Sequence, residues 1–123
     1  MPTPITITAG DVVVEAELDD TTCGQMVAEA LPIKASAGTW GEEIYFSIDV
    51  DCPSEDPQAV VELGDLGYWP PGSAFCMFFG QTPMSTAGQI RPASPVTVIG
   101  RMKGDLEPLK SVASGAPVTI ERA

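Results

Sequence analysis

GDLGYWPPGSAFCMFFGQTP, Gly64 to Pro83, sets six aromatic or thiol side chains (Tyr68, Trp69, Phe75, Cys76, Phe78 and Phe79) among four glycines and three prolines. A loop punctuated in this way, running into a short apolar strand and out through another turn, needs a backbone of fixed and unusual dihedrals beside a buried segment. A strand points alternate side chains to opposite faces, so Phe78 and Phe79 cannot both enter one core, and one of them is a candidate to line a cleft.

Upstream, Ala59 to Glu62 reads as a short strand leading into this stretch. Before it, Asp49 to Pro57 carries Asp49, Asp51, Glu55 and Asp56 together with Pro53 and Pro57 and reads as an exposed acidic loop. It lacks the glycine and the final glutamate of a calcium-binding loop of the EF-hand type, so a solvated turn is preferred to a metal site. Ile44, Phe46 and Ile48 alternate with Glu43, Tyr45 and Ser47, a strand with one core face and one polar face holding a tyrosine. Ile33, Ala35 and Ala37 alternate in the same way.

Nearer the N-terminus, Ile5 and Ile7 and then Val12, Val14, Ala16 and Leu18 predict a β-hairpin around Gly10 and Asp11. Asp19 to Thr22 are helix-capping residues, Thr22 and Gln25 have capping-box spacing, and Pro32 stops the run, which predicts a helix over Thr22 to Leu31. Downstream of Pro83, Met84 to Pro95 is loop and Val96 to Met102 is a strand. Leu106, Leu109, Val112 and Ala113 form a second helical stripe ended by Gly115, and Val118 and Ile120 close the chain as a strand.

One domain of 123 residues, 44% hydrophobic, with twelve glycines and twelve prolines, is expected to be mainly β: a closed barrel with two short helices at its ends. A formal charge of −11 argues against nucleic acid and anionic membrane as partners. No histidine is present, which excludes a serine–histidine–aspartate triad and leaves any general-base work to carboxylate, lysine or tyrosine. The three cysteines are widely spaced and odd in number; each is expected as a reduced thiol, with Cys23 and Cys76 buried. MPTPITIT has no signal-peptide pattern and no apolar run reaches membrane-spanning length, so a cytoplasmic protein is expected, without cofactor or metal.

The order of elements and the passage VTVIGRMKGDLEPLKSVASGAPVTIE, Val96 to Glu121, resemble the cyclophilins. A closer resemblance rests on WGEEIYF (Trp40 to Phe46), GDLGYWPPG (Gly64 to Gly72), FFGQTP (Phe78 to Pro83) and ASPVTVIGRMKGD (Ala93 to Asp105). Through these four motifs, in order, the chain is similar over essentially its whole length to a small prokaryotic family of cyclophilin-like proteins of unknown function. The resemblance implies an eight-stranded antiparallel barrel; it does not imply an activity. Prolyl isomerases of this fold carry an arginine on the strand that corresponds to Glu42 to Ile48, and EEIYFSI has none. Their pocket histidine is missing too, so catalysed isomerisation would need Arg91 to reach the groove from another loop.

By the same resemblance, Phe79, Gln81 and Thr82 would line a groove with Tyr45 on the facing strand. Tyr68 and Trp69 before Pro70 offer an aromatic platform for an extended or proline-rich ligand, or else pack on the barrel. Glu42, Glu43, Glu62 and Asp65 are the nearby carboxylates, expected as solvated surface charge, and Arg101 is expected in a structural ion pair. The ligand-binding candidates are therefore Tyr45, Glu62, Tyr68, Phe79, Gln81, Thr82 and Arg91, and the partner expected is a small molecule or a proline-containing peptide. Weak prolyl isomerase activity is the alternative, and an assembly subunit with a basic partner is a third reading.

Overall fold

A computed structural model describes residues 2–53 and 55–123. Nine strands, β1 (Thr3–Ala9), β2 (Val12–Leu18), β3 (Ile33–Ser36), β4 (Gly38–Thr39), β5 (Glu43–Ser47), β6 (Asp65–Trp69), β7 (Ala74–Phe78), β8 (Thr97–Met102) and β9 (Pro117–Arg122), form one antiparallel sheet in the order β3-β9-β1-β2-β8-β6-β7-β5-β4. The two outermost strands, β3 and β4, are consecutive in the chain and separated by Ala37 alone. Ala37 donates its N–H to the Ala116 carbonyl and accepts from the Gly115 N–H, so the sheet curls into a nearly closed barrel. The expected barrel is present, with one strand more than eight because the 33–39 stretch breaks into β3 and β4.

Period-two alternation puts Ile5, Ile7, Val14, Ala16, Leu18, Ile44, Phe46, Phe75, Met77, Ile99, Val118 and Ile120 inside the barrel. Each fully buried aliphatic or aromatic side chain there contributes about 1.5–3 kcal/mol by leaving water. Phe46 and Phe75 stack across β5 and β7 with ring centroids 5.3 Å apart. On β7 both faces are buried, since Ala74, Cys76 and Phe78 point outward into a second apolar cluster with Val61 and Val96. Phe79 turns into the main core while Phe78 joins the outer cluster, as alternation requires.

Helix α1 (Thr22–Glu29) closes one end of the barrel. Its N-cap is Thr21, one residue before the expected capping-box threonine, and the Thr21 hydroxyl accepts from the Gly24 N–H at 3.0 Å. The Glu55 carboxylate accepts from the N–H groups of Thr22 and Cys23 at 3.2 and 3.3 Å, placing a negative charge at the positive end of the helix dipole. The acidic loop is thus tied down at the helix.

Three expectations are corrected. Cys23 and Cys52 are not reduced thiols: they form a disulfide, because the 49–57 loop folds over α1 and brings their Cα atoms to 5.3 Å. Cys76 is a free, buried thiol. Ala59 to Glu62 is not a strand; the segment makes single bridges, Gln58 to Val96 and Val61 to Ile90, to the loop that covers β7. The second helix shortens to a 3-10 turn, Glu107–Ser111, with Pro108 inside it and Leu109 as its only buried residue. Among the described residues no helix is long and apolar enough to cross a membrane.

Candidate functional site

The outer face of β5 and β7 is where chemistry gathers. Antiparallel pairing sets Glu43 opposite Phe78 and Tyr45 opposite Cys76, so Glu43, Tyr45, Cys76 and Phe78 share that face. The 84–96 segment crosses over Phe78 and leaves a cleft beside it of about 210 Å³. Glu43 and Cys76 lie at its β5–β7 floor; Trp40, Tyr45 and Trp69 wall it, and Pro92, Ala93 and Val96 complete the lining.

Each wall is held in place by local structure. Trp40 sits in the tight turn between β4 and β5, its N–H bonded to the Glu43 carbonyl at 3.0 Å. The Tyr45 ring lies flat against Gly38, where a Cβ would come within 2.7 Å of Cζ. Trp69 packs on Gly72 and donates its indole Nε1–H to the Ser94 hydroxyl at 2.6 Å, anchoring the covering loop. That loop is also fixed by Thr82, whose hydroxyl donates to the Arg91 carbonyl, and by Ser85, whose Oγ accepts from the N–H groups of Thr82 and Arg91 at 3.0 and 3.1 Å. Val96 exchanges two backbone hydrogen bonds with Gln58, at 2.7 and 3.0 Å.

Glu43 is 5% exposed, and its Oε1 has no hydrogen-bond partner among the described residues. Burial pushes its pKa up to about 7, against a hydrogen bond from the Cys76 thiol that pulls it down. The Cys76 thiol lies between the Ala74 carbonyl, 3.9 Å away, and the Glu43 carboxyl. Burial raises the thiol pKa well above its ordinary value, and the Glu43 charge adds to that rise. At neutral pH the floor of the cleft is therefore a thiol and a carboxyl group balanced between its protonated and ionised forms. Such a carboxyl can donate a hydrogen bond in one state and neutralise a cation in the other.

Sequence reasoning placed Glu43 and Asp65 among solvated surface charges; both are buried, and this is corrected. The strand does alternate, but the Glu43 end of its outer face is enclosed by the cleft that Trp40, Trp69, Pro92, Ala93 and Val96 line, and periodicity in the strand alone cannot show that enclosure. The other carboxylates are engaged. Glu42 is held below its usual range by the Gln81 N–H and Lys110. Glu62 is exposed and pairs with Arg101 at 3.3 Å. Asp65 is raised by burial, opposed by the Glu62 N–H and by Arg101 at 3.4 Å. Arg101 is thereby a structural ion-pair residue.

The seven ligand-binding candidates are not brought together. Tyr45 lines the apolar cleft. Glu62 borders a more polar hollow of about 450 Å³ with Asp19, Glu55, Asp56 and Asp65. Phe79 touches a third hollow with Leu63, Gly64, Met102 and Leu106. Tyr68 is buried, its hydroxyl donating to the Val50 carbonyl at 2.8 Å and accepting from the Cys52 N–H at 3.3 Å. Gln81 holds Glu42 through its backbone. Thr82 is the loop clasp, and the Arg91 guanidinium donates to Gln89 Oε1 at 2.6 Å. The residues sequence reasoning missed are Trp40, Glu43, Cys76, Pro92, Ala93 and Val96. The signal available for them was the tryptophan-glycine turn beside Glu42 and Glu43, and the thiol in the apolar run of β7.

With this geometry in place, comparison with known proteins is informative. A family model described as Cyclophilin-like matches residues 3–121. The solution structure of the hypothetical protein AF2241 from Archaeoglobus fulgidus is similar over 99% of this chain and 95% of that one, at 45% sequence identity and a TM-score of 0.84. The search of curated proteins gives no match.

Proposed function

This chain belongs to the Cyclophilin-like family, and within that family we propose that it is a binding module without isomerase chemistry, which takes a small molecule or a peptide side chain in the cleft over β5 and β7. The observation that carries this reading is the Glu43 carboxyl, buried with an unpartnered oxygen among three aromatic side chains. Burying such a group without a partner is costly, and a site that tolerates the cost has a use for it. The volume is below the roughly 300–1,000 Å³ of a drug-sized pocket, so the part of a ligand that enters is one ring or one head group. A prolyl ring on the aromatic walls, its carbonyl facing the protonated Glu43, is the peptide form of this proposal.

On the strand where prolyl isomerases of this fold carry an arginine, this chain presents Glu43 and Tyr45, and Arg91 is turned onto Gln89. Both features favour binding over catalysis. The experiment is a titration of small aromatic and aliphatic fragments and proline-containing peptides into isotope-labelled protein. Amide shifts at Glu43, Tyr45, Cys76 and Trp69 are expected, and a titration that moves none of them removes the proposal. A protease-coupled prolyl assay at high protein concentration is expected to show no rate above background; a rate that survives Glu43→Gln would instead favour isomerase activity elsewhere on the barrel.

For location we keep to a cytoplasmic setting that tolerates disulfides. The Cys23–Cys52 bond is of a kind that persists in oxidising compartments and in intracellular proteins of hyperthermophiles. Cell fractionation combined with thiol trapping tests it: one free thiol per chain in the cytosolic fraction is expected, and recovery of the protein outside that fraction overturns it.

A further inference from the structure

We propose that the head group taken by the cleft is an alkylated ammonium, with Trp40, Tyr45 and Trp69 as its walls and the Glu43 carboxylate as its counter-ion. The inference rests on the reading of the cleft as a binding site and names the class of ligand. Three aromatic side chains line one cavity, and aromatic rings attract an organic cation through their electron-rich faces. Among the described residues Glu43 is the only charged one of the lining, it is negative, and its Oε1 has no partner. Pro92, Ala93 and Val96 provide apolar surface suited to N-methyl groups rather than to a strongly hydrated ammonium. The net charge of −11 draws cations toward the molecule as a whole.

A neutral carbonyl ligand is the competing occupant, and proton linkage separates the two. An ammonium group needs the ionised carboxylate, so its affinity rises as pH passes through the carboxyl's titration near 7. A carbonyl needs the protonated form, and its affinity falls over the same window. The titratable groups facing Glu43 are Cys76 from β7 and Tyr45 from its own strand; Trp40, Trp69 and the Pro92–Val96 segment bring none into the lining. Cys76 is held protonated well past neutral pH, so the carboxyl governs the response.

The test uses choline, its uncharged carbon isostere 3,3-dimethyl-1-butanol, and N-acetyl-trimethyllysine amide, titrated into the full chain and followed by tryptophan fluorescence and amide shifts. At about pH 8, one or both cations are expected to bind at least ~10-fold more tightly than the isostere, with the preference shrinking at about pH 5.5 and vanishing in Glu43→Gln. Tighter binding of choline identifies a free small molecule as the source of the head group; tighter binding of the lysine derivative identifies a modified side chain. Equal binding of choline and its isostere, or an affinity for choline that falls with rising pH, overturns the cation assignment and leaves the binding reading standing. Failure of all three probes overturns the assignment as well, while the fragment titration decides separately whether the cleft binds anything. Should Glu43→Gln not fold, the isostere comparison and the pH profile of the unmodified protein decide alone.

Discussion

Glu43 on β5 and Cys76 on β7 stand one diagonal step apart on the same outer face of the barrel wall, because Glu43 pairs with Phe78 and Cys76 with Tyr45. The two groups shift each other, the thiol lowering the carboxyl's pKa and the carboxyl's charge raising the thiol's, and both are buried at the floor of the cleft. A strand that reads as half solvated in isolation thereby carries a shielded acid.

That acid makes stability depend on pH with a definite sign. Folded Glu43 titrates at about 7, chiefly because burial disfavours its charge, against 4.5 for an unperturbed carboxyl. Between these values the folded chain keeps a proton the unfolded chain has lost, so this contribution is fully present below the lower value and is lost as pH rises toward the higher. Glu43→Gln removes the titration, and relative to the unmodified protein it should gain up to about 3 kcal/mol between acid and mildly alkaline pH. Urea midpoints of the two proteins measured across that range check this. A difference between them that is flat with pH would show that Glu43 is solvated in the folded state.

Cys76 should be chemically silent in the folded protein. It is 2% exposed and its thiol is pushed well above the ordinary range by burial, then by the Glu43 charge, so little thiolate exists to react. A chromogenic disulfide reagent at mildly alkaline pH should label one thiol per chain only at the rate of unfolding, and rapidly in urea. Fast labelling of the native protein would contradict the burial. Replacing Cys76 with Ala removes a hydrogen bond that favours the ionised carboxyl, so Glu43 should then titrate higher still, as read from its side-chain carbon shift.

The barrel was legible because its strands alternate. Ile5, Ile7, Val14, Ala16 and Leu18 write their faces into the sequence, and the resemblance drawn there agrees with the family model that matches residues 3–121. The site was less legible for a physical reason: it is made by a loop lying over a strand. Nothing in Met84 to Pro95 announces that Pro92 and Ala93 will cover Glu43, since loop paths are fixed by single contacts such as Trp69 to Ser94 and Thr82 to Arg91. The disulfide escaped notice similarly, because pairing 29 residues apart follows from how the acidic loop caps α1 through Glu55 and not from cysteine spacing.

The same loop gives a stability prediction. Closing a 29-residue separation with a disulfide lowers the entropy of the unfolded chain, worth about 3–4 kcal/mol in the loop-closure account. Reduction, or paired Cys23→Ala and Cys52→Ala substitution, should lower unfolding stability by that order, read from urea denaturation. Tyr68→Phe should add a separate loss of about 1–3 kcal/mol, because the Val50 carbonyl and the Cys52 N–H lose a buried partner. Since the hydroxyl and the disulfide hold the same loop, the two losses should not add fully in the combined variant. Full additivity would mean that they act on independent parts of the fold.

Two glycines separate support of the fold from support of the cleft. At Gly100 on β8 an added Cβ would lie 2.1 Å from the Glu17 carbonyl oxygen and 3.0 Å from the Leu18 Cα, both backbone atoms of the paired strand β2. That strand is paired with β1 on its other side and cannot retreat, so Gly100→Ala should cost at least the upper part of the ~1–3 kcal/mol usual for overpacking. At Gly38 the three atoms nearest the added Cβ all belong to the ring of Tyr45, a side chain 41% exposed that can give way toward solvent under that pressure. Gly38→Ala should therefore cost about 1 kcal/mol or less in stability, yet it displaces one wall of the cleft and should weaken any ligand that uses it. Thermal unfolding and the fragment titration, run on both variants, read the two effects apart: Gly100→Ala should fail in the first, Gly38→Ala in the second. Undiminished binding in a folded Gly38→Ala protein would show that Tyr45 is not part of the binding surface.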